Sequence, residues 1–254
     1  MVMQEQNVTK NNRNYPEADT AFVCLLGLVS FPDAMAVEHR LIKLRHEEKI
    51  SDTLLIFEHP PTITLGKFGN MKSVLASSEE LTMKGIRLFD SDRGGDATYN
   101  CPGQLVIHPI VNLRLKGVRA HIADLEELCL RVLRGYGIAA ERSAQHPGIW
   151  VEDRQICAVG LRFSRGISMH GVSLNVNPDL DSFRVINLCG LPGKTATSIE
   201  SELGHAVSID EVKDKIQQAY ADVFRVRLQP ISRERLLEIC EVLPASEIQD
   251  GEQA

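Results

Sequence analysis

Residues 166–190, GISMHGVSLNVNPDLDSFRVINLCG, constrain this chain more than any other stretch. The run opens with alternating apolar residues (Ile167, Met169, then Val172, Leu174 and Val176), the period of a half-buried strand. His170 and Gly171 interrupt the alternation, and a glycine inside a strand marks a bulge or a close backbone approach by a ligand. Pro178 stops the strand, and Asp179 is positioned to cap a short helix reaching Phe183. The segment ends on Cys189 and Gly190, a thiol in a turn. Two readings of that thiol stand open on chemistry alone: a small buried hydrophobe, as most free cysteines are, or a nucleophile.

The remaining elements follow from periodicity. Residues 21–31 form an apolar run of strand length, and 34–49 carry a helical pattern with Asp33 as its candidate cap. Residues 53–57 read as a buried strand broken by Glu58-His59-Pro60-Pro61, 62–65 as extended, and 66–70 as a loop. A short helix at 78–84 and a short strand at 86–89 come next, then a strand at 104–111. The clearest helix is 121–135, ended by Gly135 and Gly137. Residues 148–151 and 156–163 make a hairpin, 209–224 an amphipathic helix, and 232–241 a short helix. Strands dominate the middle and helices the two ends, so the fold class is α+β with a mainly antiparallel sheet. One domain is expected over residues 20–228, after a polar, disordered tail (1–19) and before a short C-terminal helix with an acidic tail (229–254).

Composition excludes several functions. A net charge of −6 over 254 residues argues against a nucleic-acid binder. The six cysteines are scattered without a CxxC pair, which argues against structural zinc and suits a reducing compartment. No apolar run reaches the ~18 residues needed to span a membrane, and the first residues lack the apolar core of a signal peptide. The chain reads as cytoplasmic.

A second dense stretch, DRGGDATYNCPGQLVIHP at residues 92–109, brings two glycines next to Arg93. Such a loop can lay its backbone against a ligand, and Arg93 can give a charge-assisted hydrogen bond to a carbonyl, carboxylate or phosphate. RGG alone also suits an ordinary turn.

With both stretches in hand, the chain from residue 21 to 224 resembles the lipoyl (octanoyl) transferases, the octanoyl-[acyl carrier protein]:protein N-octanoyltransferase family. The motifs are Arg93-Gly-Gly-x-x-Thr98-Tyr99-x-x-Pro102-Gly103-Gln104, Gly148-Ile-Trp-Val151, Ile156-Cys-Ala-Val-Gly160 and Ser168-x-His170-Gly171-x-x-Leu174-Asn175. Asp179-Leu180-x-x-Phe183, Cys189-Gly190 and Thr197-Ser198 complete them. The resemblance implies a biotin/lipoate ligase-like (class II synthetase-like) fold of mixed sheets flanked by helices. It implies that Cys189 takes an octanoyl group from octanoyl-acyl carrier protein as a thioester. The acyl group then passes to a lysine of a lipoyl domain, on glycine cleavage H protein or a 2-oxoacid dehydrogenase E2. By residue-wise match, Arg93, Gly94, Gly95, Asp96, Ala97, Thr98, Tyr99 and Asn100, with Ala158, Val159, Gly160, Gly171, Val172 and Ser173, would line the acyl tunnel. Backbone amides near Gly160 and Gly171 are the expected oxyanion donors. No cofactor or metal is implied.

Two positions depart from the family pattern. The family lysine that acts on the thiol is replaced by Gln155, and the His-Gly before Pro-Gly-Gln is Asn100-Cys101. Glutamine supplies neither charge nor a base, and a thiol needs one to become a good nucleophile. Lys194, Arg154 and His170 are the candidate substitutes. The alternative to an active transferase is a catalytically impaired paralogue that binds octanoyl or lipoyl groups, or lipoyl domains. A third reading, an ATP-dependent lipoate ligase, needs a nucleotide-binding loop that the sequence does not display. An acidic carrier would be met by local basic residues, with Arg114, Lys116, Arg119, Arg162 and Arg165 as candidates.

Overall fold

The structure, a computed structural model, describes residues 19–114, 117–143 and 148–242. The expected N-terminal tail up to residue 18, Lys116 and the acidic end from residue 243 lie outside the described residues. Twelve strands are present among them: β1 (Asp19–Leu28), β2 (Thr53–Glu58), β3 (Thr62–Leu65), β4 (Arg87–Asp90), β5 (Ala97–Asn100), β6 (Gln104–Ile110), β7 (Glu141–Arg142), β8 (Ile149–Val151), β9 (Arg154–Ser164), β10 (Ile167–Asn175), β11 (Thr195–Ala196) and β12 (Val226–Pro230). The helices are α1 (Phe31–His46), α2 (Ser78–Met83), α3 (Val118–Gly135), α4 (Ile199–Leu203), α5 (Ile209–Phe224) and α6 (Arg233–Cys240).

The large sheet runs β12-β1-β2-β6-β10-β9-β8-β7, with β11 beside β9, and a small sheet runs β4-β3-β5. Pairing is antiparallel from β2 through β8, but β12–β1, β1–β2, β3–β4 and β9–β11 are parallel. The sheets are therefore mixed. Alternate side chains of the large sheet feed two cores. Leu54, Ile56, Leu105, Ile107, Val172 and Leu174 pack with α3 and α5, whereas Leu55, Phe57, Val106, Ile167 and Met169 pack with α1 and α6. A third apolar cluster joins the small sheet to Phe183, Val185 and Leu188.

Local chemistry sets the element ends. Ser30, in extended conformation, caps α1 by accepting from the Asp33 amide, and Pro32 occupies the first turn, where its missing N–H costs nothing. Asp33, the expected cap, lies inside that turn, where a carboxylate suits the positive end of the helix. Asp179 does cap a short helix, Leu180–Val185.

Four strands escape the sequence pattern, one of them the two-residue β11. β5 lies within the stretch read as a loop and pairs antiparallel with β3. β7 is two exposed residues. β12 is a five-residue edge strand ending on Pro230; Val226 and Leu228 alternate with Arg227 and Gln229, but no buried run marks it. It crosses residue 228, and Leu236 and Cys240 of α6 are buried in the same core as α1, so no structural break falls at that expected boundary. Among the described residues, no helix is long and apolar enough to cross a membrane.

Candidate active site

Cys189 occupies a one-turn 3-10 helix, Leu188–Gly190, with φ of 52° at Cys189 and 71° at Gly190. A Cβ at residue 190 would overlap the Asp96 carboxylate, so glycine is required there both for the left-handed backbone and for the approach of the RGG loop. Cys189 is half-buried, whereas the other five cysteines are buried.

Gln155, where the family resemblance implies a lysine, reaches this thiol. Its Nε2 donates to the Cys189 sulfur at 3.3 Å, and the thiol donates to its Oε1 at 3.7 Å. The register between β8 and β9 shifts after Ile149, which pairs with Cys157 while Trp150 pairs with Gln155. Ile156 is thus the extra residue of a bulge, and the bulge re-aims Gln155 toward the cavity that Ala158 also lines. The Gln155 backbone carbonyl accepts from the Thr197 amide at 2.9 Å and from Asn175 Nδ2 at 3.4 Å.

That contact belongs to a longer chain of amides. Asn100 Nδ2 donates to Gln104 Oε1 at 2.7 Å and to Ser173 Oγ at 2.9 Å. Gln104 Nε2 donates to Asn175 Oδ1 at 2.8 Å, and Asn175 Nδ2 donates to the Thr197 carbonyl at 2.8 Å. All four side chains, Asn100, Gln104, Asn175 and Gln155, are buried. The two positions that depart from the family pattern are joined through this ladder.

Two cavities meet at the site. One, of about 260 Å³, is bordered by Cys189, Gln155, Ala97, Thr98, Tyr99 and Ala158. The other, of about 400 Å³, is bordered by Arg93, Thr98, Asn100, Ala158, Gly160, Gly171 and Ser173, with His59, His108 and His170. Thr98 and Ala158 form a wall common to both. Gly94, Gly95 and Asp96 frame the rim: the Gly94 amide donates to the Leu161 carbonyl, and the Gly95 carbonyl accepts from the Phe68 amide.

Several expected residues have other placements. Val159 and Val172 pack into the core under α3 and α5, on the face opposite the cavity, because neighbours along a strand alternate. Gly160 and Gly171 face each other across β9 and β10 in the wall of the larger cavity, not the one holding Cys189. The close approach at Gly171 is made by the β6 backbone at Ile107, and His170, at φ 59°, turns into the cavity beside it.

The three candidate substitutes for the lysine all have other partners. Arg154 pairs with Glu202 at 2.8 Å, and the Lys194 ammonium lies 5.9 Å from the Trp150 ring centroid. His170 Nε2 meets Asp92 at 2.8 Å, and its backbone amide donates to Glu38 at 2.9 Å. Burial holds the His170 pKa below the usual imidazole value.

Arg93 supplies the cation that acts on the thiol, but it does so from a locked position. Nε donates to Thr64 Oγ1 at 3.1 Å, Nη2 to the carbonyls of Thr64 and Asp96 at 2.7 Å, and Nη1 to the Gly94 carbonyl at 3.0 Å. The guanidinium holds its own loop together. Burial lowers its pKa to about 10, which leaves it charged at neutral pH. Burial raises the Cys189 pKa above the ordinary thiol value; the Gln155 hydrogen bond and the Arg93 charge pull it back down, and Asp96 pushes it up. Cys101, in the neighbouring loop, is buried and pushed up to about 12.

Sequence periodicity gave no sign of Glu38. This fully buried carboxylate receives His108 Nδ1 at 2.6 Å and the His170 amide. Burial would raise its pKa, but His108 and His170 hold it at about 2. Glu38, His108 and His170 offer ligand atoms within 4.8 Å of one another, a composition that also suits a metal ion. The short Glu38–His108 contact shows these atoms hydrogen-bonded to one another.

Comparison with known proteins agrees with this architecture. Residues 30–221 match the lipoyl protein ligase A/B catalytic domain. The chain belongs to that family and is an acyltransferase. It is similar to an octanoyltransferase of Caldicellulosiruptor saccharolyticus, 40% identical over 87% of this chain and 95% of that protein. An octanoyltransferase of Chloroflexus aurantiacus is 42% identical over 81% of this chain and 94% of its own length. These relatives place the chain in octanoyl transfer for protein lipoylation. The fold is that of the lipoate protein ligases. The ligase of a bipartite Thermoplasma acidophilum lipoylation system superposes with TM-score 0.70 at 15% identity, covering 88% of this chain and 91% of that one. Lipoate-protein ligase A bound with ATP gives TM-score 0.69 at 15% identity, over 89% and 93% of the two chains.

Proposed function

We propose that the chain transfers an octanoyl group from octanoyl-acyl carrier protein to Cys189, and then to a lysine of a lipoyl domain on glycine cleavage H protein or an E2 subunit. The observation that carries this reading is the half-buried Cys189 thiol, hydrogen-bonded to Gln155 in a cavity that shares a wall with a second, larger one. In the first step the Cys189 thiolate attacks the thioester carbonyl, a new sulfur–carbon bond forms, and the carrier thiolate leaves and takes up the proton that Cys189 gave to water. In the second step the neutral lysine amine attacks the Cys189 thioester; the amide forms and the Cys189 thiolate departs, carrying or releasing the amine's proton. The amide of Gln155 donates to sulfur, which favours the anionic form in both steps.

Among the described residues the hydrogen-bond partner of this thiol is Gln155 rather than a lysine or a histidine, and its pKa is raised, so transfer is slow at neutral pH. Intact-mass spectrometry after mixing with octanoyl-acyl carrier protein tests the reading. One octanoyl on Cys189, absent in Cys189→Ala and discharged by a lipoyl domain, is the expected result. Octanoyl binding without an adduct at any pH would instead make the chain a binding protein.

A further inference from the structure

A groove of about 790 Å³ lies outside the thiol cavity and shares Phe183 and Leu188 with it, Leu188 being the residue next to Cys189. Its floor is apolar, from Leu75, Leu180, Ile186 and Ala196. Two cations, Arg184 and Lys194, stand on its rim, against a single carboxylate, Asp181. Asp181 pairs with Arg184 at 2.9 Å, while none of the described acidic residues pairs with Lys194, whose ammonium rests over the Trp150 face. The groove thus carries a spare positive charge on a chain of net charge −6.

We propose that this groove receives the phosphopantetheine arm of the acyl donor, with its phosphodiester at Arg184 and Lys194. The inference rests on the transfer reading above and names the surface that the donor uses. A pantetheine arm is a slender chain of methylenes, a gem-dimethyl group and amides, ending in a thioester at one end and an anion at the other. That order matches an apolar lining that abuts the thiol cavity at Phe183 and Leu188 and has cations on its rim. The acceptor is the competing occupant, and its chemistry fits poorly: it arrives as a lysine, which two rim cations would repel. Asn187, also in the groove, offers a side-chain amide to the amides of the arm.

The test compares single-turnover loading of Cys189 by S-octanoyl-phosphopantetheine and by S-octanoyl-pantetheine, which lacks only the phosphate. The readout is the ratio of the two second-order loading constants. In the wild type the phosphate is expected to raise loading about tenfold, the size of one good charge-assisted contact. In Arg184→Ala and Lys194→Glu the ratio is expected to fall toward one. Both side chains sit at the rim of the groove, Arg184 being 83% exposed, so folding is retained. A ratio that is unity in the wild type, or unchanged in both variants, overturns the assignment. So does a preloaded Lys194→Glu enzyme whose transfer to the lipoyl domain changes as much as its loading, which would give the groove to the acceptor. Failure of the wild type to form any adduct with either donor refutes the transfer reading itself, and that outcome is distinct from the other two.

Discussion

Replacing Gln155, whose Nε2 lies 3.3 Å from the Cys189 sulfur, by the lysine that the resemblance implies there sets opposing effects against one another. A unit charge ~4 Å from the thiolate interacts by about 4 kcal/mol at an effective dielectric of 20. Gln155 is 3% exposed, so moving an ammonium there costs much of that attraction in lost hydration. If ~1.4 kcal/mol survives, the thiolate fraction at neutral pH rises about tenfold. Nucleophilicity falls with pKa with a Brønsted slope near 0.5, which returns about threefold, so loading accelerates only ~3-fold. Transfer to the acceptor gains more, because a neutral lysine at residue 155 can also take the proton of the attacking amine. The assay is single-turnover loading and discharge against pH for wild type and Gln155→Lys. In the wild type, loading should climb through and beyond neutral pH, since burial has raised the thiol and only its anion reacts. In Gln155→Lys the climb should move to lower pH. A wild-type profile already flat at neutral pH, and unmoved by the substitution, would refute the reasoning.

Three further outcomes follow from the same geometry. Cys189→Ala should abolish the octanoyl adduct while Cys101→Ala keeps it, because Cys101 is buried with a pKa of about 12; intact-mass measurement decides. Glu38 stabilises the fold only while ionised: with its folded pKa at about 2 and an ordinary value near 4.3, its contribution is complete above pH ~4.3 and is lost as pH falls toward 2, on the order of 3 kcal/mol. Glu38→Gln should flatten that acid limb in urea titrations, and an unchanged limb would count against the buried ion pair. Asn100→His and Gln155→Lys should be non-additive in loading rate, by ~0.5–3 kcal/mol in a double-mutant cycle, since the amide ladder joins them.

The sequence made some of this legible through pattern and some through motif, and the boundary between them is physical. The phase of the apolar alternation changes across His170-Gly171, and the structure sends Ile167 and Met169 to one core but Val172 and Leu174 to the other. A period-2 pattern reports which face a side chain takes, so that break was readable. The same rule places Val159 and Val172 on the face opposite the cavity, although a motif match counts every residue in its span. Arg93 shows a different limit. Its residue type fits a ligand contact, but three backbone carbonyls and Thr64 take its N–H groups, and such satisfaction depends on residues brought together by β3 and β5. Edge strand β12 does alternate, Val226 and Leu228 against Arg227 and Gln229, but the run is short and only half-buried, so it is easily passed over between α5 and α6.

The site's least legible feature is also the one that makes sense of its two departures. Asn100 and Gln155 lie on strands β5 and β9, in different sheets, and nothing in their spacing connects them. Gln104, two residues beyond the end of the Asn100-Cys101-Pro102 turn, and Asn175, at the end of β10, bridge them by exchanging amide hydrogen bonds. A buried amide network is stable only when each member finds both a donor and an acceptor. Asn100 uses its donors on Gln104 and Ser173, which leaves the Gln104 amide to donate onward to Asn175. Asn175 then donates to the carbonyls of Gln155 and Thr197, fixing the strand from which Gln155 reaches sulfur. An imidazole at residue 100 would offer one N–H in its neutral form rather than two, so the Gln104 contact would lapse or the Ser173 hydroxyl would have to turn from acceptor to donor. The ladder thus ties the amide at residue 100 to the backbone of residue 155, while the Gln155 side chain stays outside it and meets the thiol.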